Sequence, residues 1–299
     1  MTVDSTRRAL LRGLAALPLA PSLPLAAAGD LAGELAAIES RAGGRLGVAF
    51  LDTGDGRWAG HRFDERFALC STFKLPLAAF VLAEIDAGRM DGGERLTWTT
   101  AEHVPHMPVT GKNDGNAGMT VLELAEAGQT TSDNLAANLL MRRLGGPEAL
   151  TARFRALGDE HTRIDRWEPE MNLVPPGEER DTTTPAAMAR IVAQLTTGKF
   201  LPPAARERLV GWMVATTTGR RRLRAGLPPD WRAGDKTGTG MAKAMPNQHN
   251  DVAIVFPPDR APVIVAAFYS APAHFPDMRP EDDAVLADVG RLAARWISR

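Results

Sequence analysis

Four short polar motifs follow one another along the chain: Ser71-Thr72-Phe73-Lys74, Ser132-Asp133-Asn134, Glu168-Pro169-Glu170-Met171-Asn172 and Lys236-Thr237-Gly238. Together they supply a serine hydroxyl, two lysine amines, a second serine hydroxyl, amides and a carboxylate. A hydroxyl activated by a neighbouring amine can open an amide through an acyl-enzyme, and a spare carboxylate can help water release the acyl group. Each motif alone has a plainer use. A Ser-x-x-Lys pair recurs by chance as a helix cap beside a solvated lysine. Ser132-Asp133-Asn134 stands before an apolar segment, Leu135–Leu144, which any of the three can cap. Lys236-Thr237-Gly238 reads as a turn leading into an edge strand, and the Glu168 segment as a solvated acidic loop. It is the ordered set that points to chemistry.

The spacing says how each motif would work. A helix from Ser71 to Ala87 puts Ser71 and Lys74 on one face, one turn apart. Pro76 then falls near the first turn, where its missing N–H is tolerated. Ser71 sits at the positive end of that helix, and burial lowers a lysine pKa enough for it to take a proton. Ser132 can relay a proton to a leaving nitrogen, with Asn134 holding a substrate amide and Lys74. Gly238 and Gly240 let a ligand approach the backbone, while Lys236, Thr237 and Thr239 offer charge and hydroxyls to a carboxylate. Glu168 and Asn172 can share one water, in a long loop that Arg166 and Asp181 could close as an ion pair. His103-Val104-Pro105-His106 lacks further ligands for a metal, so no metal or cofactor is expected.

The elements that must hold these groups are legible in outline. Leu31, Leu35 and Ile38 recur at helical spacing before Gly43-Gly44. Leu46–Leu51 and Arg57–Phe63, joined through Gly54-Asp55-Gly56, read as a hairpin. From Thr72 to about residue 215 the signals are almost all helical. Among them are a Thr120-x-x-Glu123 capping box and a Thr184-Pro185 start closed by Gly198. Strand signals return at Val252–Phe256 and Val263–Tyr269, and a last helix, about Asp282–Ile297, carries Val285, Leu286, Val289, Leu292 and Trp296 on one face. The expected fold is therefore of the α/β (α+β) type. One antiparallel sheet is built from 29–63 plus 216–299 and covered by the terminal helices, and an all-α lobe, 64–215, is inserted and carries the loop 166–181. A groove between the two lobes is a natural ligand site.

The bulk numbers are those of an ordinary soluble globular chain and argue against a nucleic-acid partner. The chain has 299 residues, 35 Lys+Arg against 36 Asp+Glu, and no basic run beyond Arg220-Arg221-Arg222. Its single cysteine, Cys70, excludes an intrachain disulfide. Residues 1–28 read as a twin-arginine export signal: Arg7-Arg8, an apolar stretch from Leu10 to Leu25, then Ala26-Ala27-Ala28. Pro18, Pro21 and Pro24 argue against a spanning helix, since each interior proline costs a helix about 3 kcal/mol. The expected mature chain is an exported monomer, periplasmic or secreted, without a stable membrane anchor.

From about residue 30 to 299, the ordered motifs resemble those of the class A serine β-lactamases. The resemblance implies a β-lactam amide hydrolase that confers resistance to penicillins and cephalosporins. Ser71 would be the nucleophile, with Lys74 and Ser132 shuttling protons and the backbone N–H groups of Ser71 and Thr239 forming the oxyanion hole. Lys236, Thr237, Gly238 and Thr239 would bind the substrate carboxylate, Asn134 the amide, and Glu168 with Asn172 the deacylating water. It also implies a cis Glu168–Pro169 bond. Some relatives bridge a cysteine before the nucleophile to one after the Lys-Thr-Gly segment, but here that second position is Gly240. Arg222 matches an arginine that reaches the substrate carboxylate in some members, with a plain surface charge as the other reading; His249-Asn250-Asp251 stands where an alternative arginine would be. His106 matches an aromatic wall at the cleft mouth, and Met241–Gln248 is longer than usual between its two strands. A D,D-peptidase and a serine amidase share parts of this set but do not account for Glu168 in its loop; a penicillin sensor is expected to carry transmembrane helices, and none reads from the sequence after residue 28.

Overall fold

The computed structural model describes residues 26–299. Arg7-Arg8 and the apolar stretch to Leu25 lie outside the described residues. Helix α1 (Ala26–Ala42) runs through the expected cleavage point after Ala28 and leads into strands β1 (Arg45–Asp52), β2 (Trp58–His61) and β3 (Phe67–Ala68). A 3-10 turn, Cys70–Phe73, passes directly into α2 (Lys74–Asp86). Then come β4 (Arg95–Leu96), β5 (Met119–Thr120), α3 (Val121–Thr131), α4 (Asn134–Arg143) and α5 (Gly146–Ala156). The chain continues through β6 (Thr182–Thr183), α6 (Pro185–Thr196), α7 (Pro203–Ala215), β7 (Arg232–Gly240), β8 (Gln248–Phe256), β9 (Val263–Ser270) and α8 (Pro280–Ile297).

Five strands form one antiparallel sheet in the order β2-β1-β9-β8-β7. Both faces are buried, so the alternation along each strand divides apolar residues between two cores. Val48 and Phe50 of β1, Ala253 and Val255 of β8, and Val265 and Ala267 of β9 pack with Leu31, Leu35, Leu286, Val289 and Trp296 of the terminal helices. Their neighbours Ala49, Leu51, Val252, Ile254, Ile264 and Ala266 join the core of the intervening helices. At the centre of that second core lies α2, apolar on all sides and buried along most of its length, with Phe80 edge-on to Phe154 and Phe200. The fold class is the one expected. The predicted caps form: Thr120 and Glu123 bond reciprocally, Thr184 accepts from the Ala187 amide, and the Gly198 amide closes on Ala193.

Three local expectations differ. Ser71 is not the first turn of an α-helix; it stands in the 3-10 turn, and Lys74 is the first residue of α2. Lys236-Thr237-Gly238 is not a turn ahead of a strand; it lies inside β7, the edge strand of the main sheet, with β8 following. Its three glycines and polar residues carry no apolar alternation, so the pattern hid the strand. Strands are also not confined to the chain ends: β3 pairs β6 and β4 pairs β5 within the helical stretch.

Candidate active site

The 3-10 turn 70–73 packs against β7 and β8, and this contact brings the first and last motifs together. It requires glycine. A Cβ on Gly238 would stand 2.9 Å from the Leu69 carbonyl oxygen and 3.1 Å from the Cys70 Cβ. From β7, Lys236 reaches Ser132 at the end of α3, while Thr237 and Thr239 line the cavity over the site. The left-handed backbone of Ser132, φ 65°, ends α3 and turns its hydroxyl to Lys236 Nζ, 3.0 Å away. Asp133 does the capping in this motif: its carboxylate accepts from the Ala136, Val109 and Thr110 amides and the Thr110 hydroxyl. Ser132 and Asn134 are thereby left for other partners.

Lys74 Nζ is the hub. It lies 2.8 Å from Ser71 Oγ, 3.0 Å from the Ser132 carbonyl oxygen, 2.5 Å from Asn134 Oδ1 and 2.9 Å from Glu168 Oε1. Ser71 Oγ is also 3.2 Å from Glu168 Oε1, so the hydroxyl lies within reach of both candidate bases. Burial lowers the Lys74 pKa, against the attraction of Glu168. Burial, and then the charge of Lys74, hold Lys236 well below its ordinary value. Asn172 Nδ2 donates to Glu168 Oε2 at 2.5 Å.

The loop that presents Glu168 is tied at three places. Arg166 Nε meets Asp181 Oδ2 at 2.6 Å, and Asp181 Oδ1 accepts from the Asp165 and Arg166 amides. Asn138 grips the Glu168 backbone from both sides, accepting from its N–H at 3.0 Å and donating to its carbonyl oxygen at 2.9 Å. The Glu168–Pro169 peptide, whose carbonyl Asn138 holds, is cis. Sequence reasoning missed Asn138. The signal was there: an amide in an apolar helix, four residues after Asn134 and so on the same face. It also missed the third tie, where the Val174 N–H donates to the Met245 sulfur at 3.0 Å.

A cavity of about 580 Å³ opens over these groups, lined by Ser71, Ser132, Asn134, Asn172, Thr237 and Thr239, with His106 and Arg222 also on its wall. His106 has φ 64°, and its Nε2 is 3.1 Å from the Thr131 carbonyl oxygen. Arg222 is not a surface charge. Only 3% exposed, it reaches Asp283 through Nε, the Gly238 and Asn250 carbonyls through Nη1 and the Thr239 hydroxyl through Nη2, all at 2.8–2.9 Å. The Thr237 and Thr218 hydroxyls bond at 2.6 Å. Cys70 is fully buried, and burial raises its thiol pKa. A Cβ on Gly240 would meet the Cys70 sulfur at 3.0 Å.

A serine in a turn packed against the sheet, held between a buried lysine and a buried glutamate, with a second Ser–Lys pair at the same cavity, is the equipment of a serine hydrolase that works through an acyl-enzyme. The model of the beta-lactamase enzyme family matches residues 30–297. Beta-lactamase AST-1 of Nocardia asteroides is 43% identical over 94% of this chain and 87% of its own length. A beta-lactamase of Streptomyces albus G is 41% identical over 99% of this chain and 98% of its own. The solved structure of an ancestral (GNCA) class A beta-lactamase superposes with a TM-score of 0.84 at 53% identity, covering 89% of this chain and 99% of that one. The chain belongs to the class A serine β-lactamases.

Proposed function

We propose that this enzyme hydrolyses the β-lactam ring of penicillins and cephalosporins with the following division of labour. Ser71 attacks the lactam carbonyl. Lys74 or Glu168 takes its proton, and Ser132, linked to Lys236, passes a proton to the leaving nitrogen. The backbone N–H groups of Ser71 and Thr239 stabilise the oxyanion; losing one such donor typically costs about 2.7–4 kcal/mol in barrier. As an edge strand, β7 keeps a row of backbone groups that no sixth strand among the described residues pairs, which suits this use. Lys236, Thr237, Gly238 and Thr239 receive the ring carboxylate, with Arg222 behind Thr239, and Asn134 receives the side-chain amide. His106 walls the cavity mouth. Glu168 and Asn172 hold the water that frees the product.

The observation that carries this reading is the simultaneous approach of Ser71 Oγ to Lys74 Nζ and Glu168 Oε1, at 2.8 and 3.2 Å. Support for the two-lobe division, 29–63 plus 216–299 against 64–215, comes from the position of these groups between the main sheet and the intervening helices. Arg7-Arg8 and the apolar stretch behind them support export to the periplasm or medium, with residues 1–28 as the signal. Among the described residues no helix is long and apolar enough to cross a membrane. We read the working species as a monomer.

The test is hydrolysis of a chromogenic cephalosporin, followed beyond one equivalent, by the parent and by Glu168→Gln. The parent turns over continuously, and the variant releases one equivalent and stalls as the acyl-enzyme. Parent-rate turnover by the variant would remove Glu168 from deacylation. A parent that itself stops at one equivalent would point to a penicillin-binding peptidase or sensor.

A further inference from the structure

Three consecutive arginines, Arg220, Arg221 and Arg222, stand on the wall of the site cavity. Only the last is used up by the fold, its guanidinium spread over four partners. The Arg221 side chain is 74% exposed, and its one carboxylate partner, Asp283, is already held more closely by Arg222, at 2.8 Å against 3.3 Å. Arg220 is exposed and makes no ion pair among the described residues. A solvated arginine on a surface loop is ordinary. These two differ in bordering the cavity that takes the substrate, in a chain whose net charge is only -1. The ring carboxylate is already provided for by Lys236, Thr237 and Thr239, so Arg220, with no ion pair among the described residues, and Arg221, which shares Asp283 with Arg222, border the cavity with charge to spare.

Their place on the wall says which part of a substrate they would meet. Thr218, two residues before Arg220, bonds the Thr237 hydroxyl. The wall formed by Thr217, Thr218 and Arg220–Arg222 therefore adjoins the carboxylate end of the cavity. In a cephalosporin the C3 substituent is attached next to the carbon that bears the carboxylate, so it extends along this wall. We infer that Arg220 and Arg221 form a second anion subsite, selecting β-lactams that carry an additional negative charge on the substituent beside the ring carboxylate. This rests on the hydrolytic reading above. Both contacts are exposed, so each arginine contributes no more than an exposed ion pair does, roughly two- to five-fold in kcat/KM. The contribution falls as salt shortens the Debye length from about 10 Å at 0.1 M to about 3 Å at 1 M.

Cefamandole and cefonicid make a matched pair: the same acyl side chain and ring, with a neutral N-methyl group on the C3′ tetrazole of the first and an N-sulfomethyl anion on the second. The quantity to measure is the ratio of kcat/KM, cefonicid over cefamandole, for the parent, Arg220→Ala, Arg221→Ala and the double variant, at low and high sodium chloride. The ratio is expected to fall roughly two- to five-fold with each substitution, to fall further with Arg220→Glu, and to fall with salt in the parent. A double variant with the parent's ratio overturns the subsite, and so does a parent ratio indifferent to salt, which needs no variant at all. If the parent hydrolyses neither compound, the hydrolytic reading fails and takes this inference with it. Hydrolysis of both with an unaltered ratio removes the subsite alone.

Discussion

Lys74 shows how little room single residues have here. It is 1% exposed and touches a hydroxyl, a carbonyl, an amide and a carboxylate at once. Its lowered pKa follows from burial, and the same burial strengthens its contact with Glu168. Arg222 is the residue whose meaning changed most between sequence and structure. An arginine in a basic run reads equally as a surface charge, and neither its burial nor its four partners leave a mark on local spacing. Arg222→Ala is expected to raise KM for a penicillin. It should also lower the melting midpoint, because it takes from Asp283 its nearest cation and from two carbonyls a donor; breaking a buried pair costs about 3–5 kcal/mol. Arg222→Lys should rescue little, since an ammonium cannot reproduce the planar fork. A variant that melts with the parent would show that the buried network does not depend on Arg222.

Among the elements, the loop Arg166–Asp181 is the one to which the proposed mechanism assigns deacylation. Its ends are held by the Asp181 carboxylate and its middle by Asn138, but its far side leans on the longer connection between β7 and β8, where Met245 is 3% exposed. The sequence marked that connection as unusually long. It did not say that the extra length delivers a thioether to the Val174 amide. Met245→Leu keeps the volume and removes the acceptor. Weak hydrogen bonds of this kind contribute about 0.5–1 kcal/mol, so deacylation should slow about two- to five-fold while acylation is retained. Pre-steady-state bursts with a penicillin separate the two steps. Equal deacylation in parent and variant would show that this contact does not govern the loop. Strand β7 teaches the complementary lesson: its buried residues are chemical rather than apolar, so the signal that finds strands was missing where the site needed one.

At the scale of the whole molecule, the sheet carries an acidic pair beneath its working edge. Asp235 of β7 and Asp251 of β8 are fully buried on neighbouring strands. Burial pushes Asp235 up to about 6, and burial together with Asp235 raises Asp251 well above the usual carboxylate range. A carboxyl whose folded pKa is raised favours the folded state while protonated. Its contribution is therefore complete below the unfolded value of about 3.9 and is lost as pH rises through about 6. Denaturant midpoints measured from pH 4 to 7.5 should show this loss in the parent and a flatter dependence in Asp235→Asn. Identical slopes would mean that the pair does not link stability to pH.

Residue type and short spacing carried a great deal. The order of the four motifs, the capping box at Thr120, the start at Thr184, the apolar faces of the terminal helices and the end strands β1, β8 and β9 were all legible, because each depends on neighbours a few residues apart. Tertiary structure alone decided the rest. It set Ser71 in a 3-10 turn against a glycine of β7, brought Asn138 onto the Glu168 backbone, and buried Arg222 behind Thr239. It also seated Met245 under Val174 and left Arg220 and Arg221 facing the cavity. These contacts join residues separated by up to about 170 positions, and their energy depends on burial and on the direction of a side chain in the folded core. Neither quantity exists until distant segments have packed.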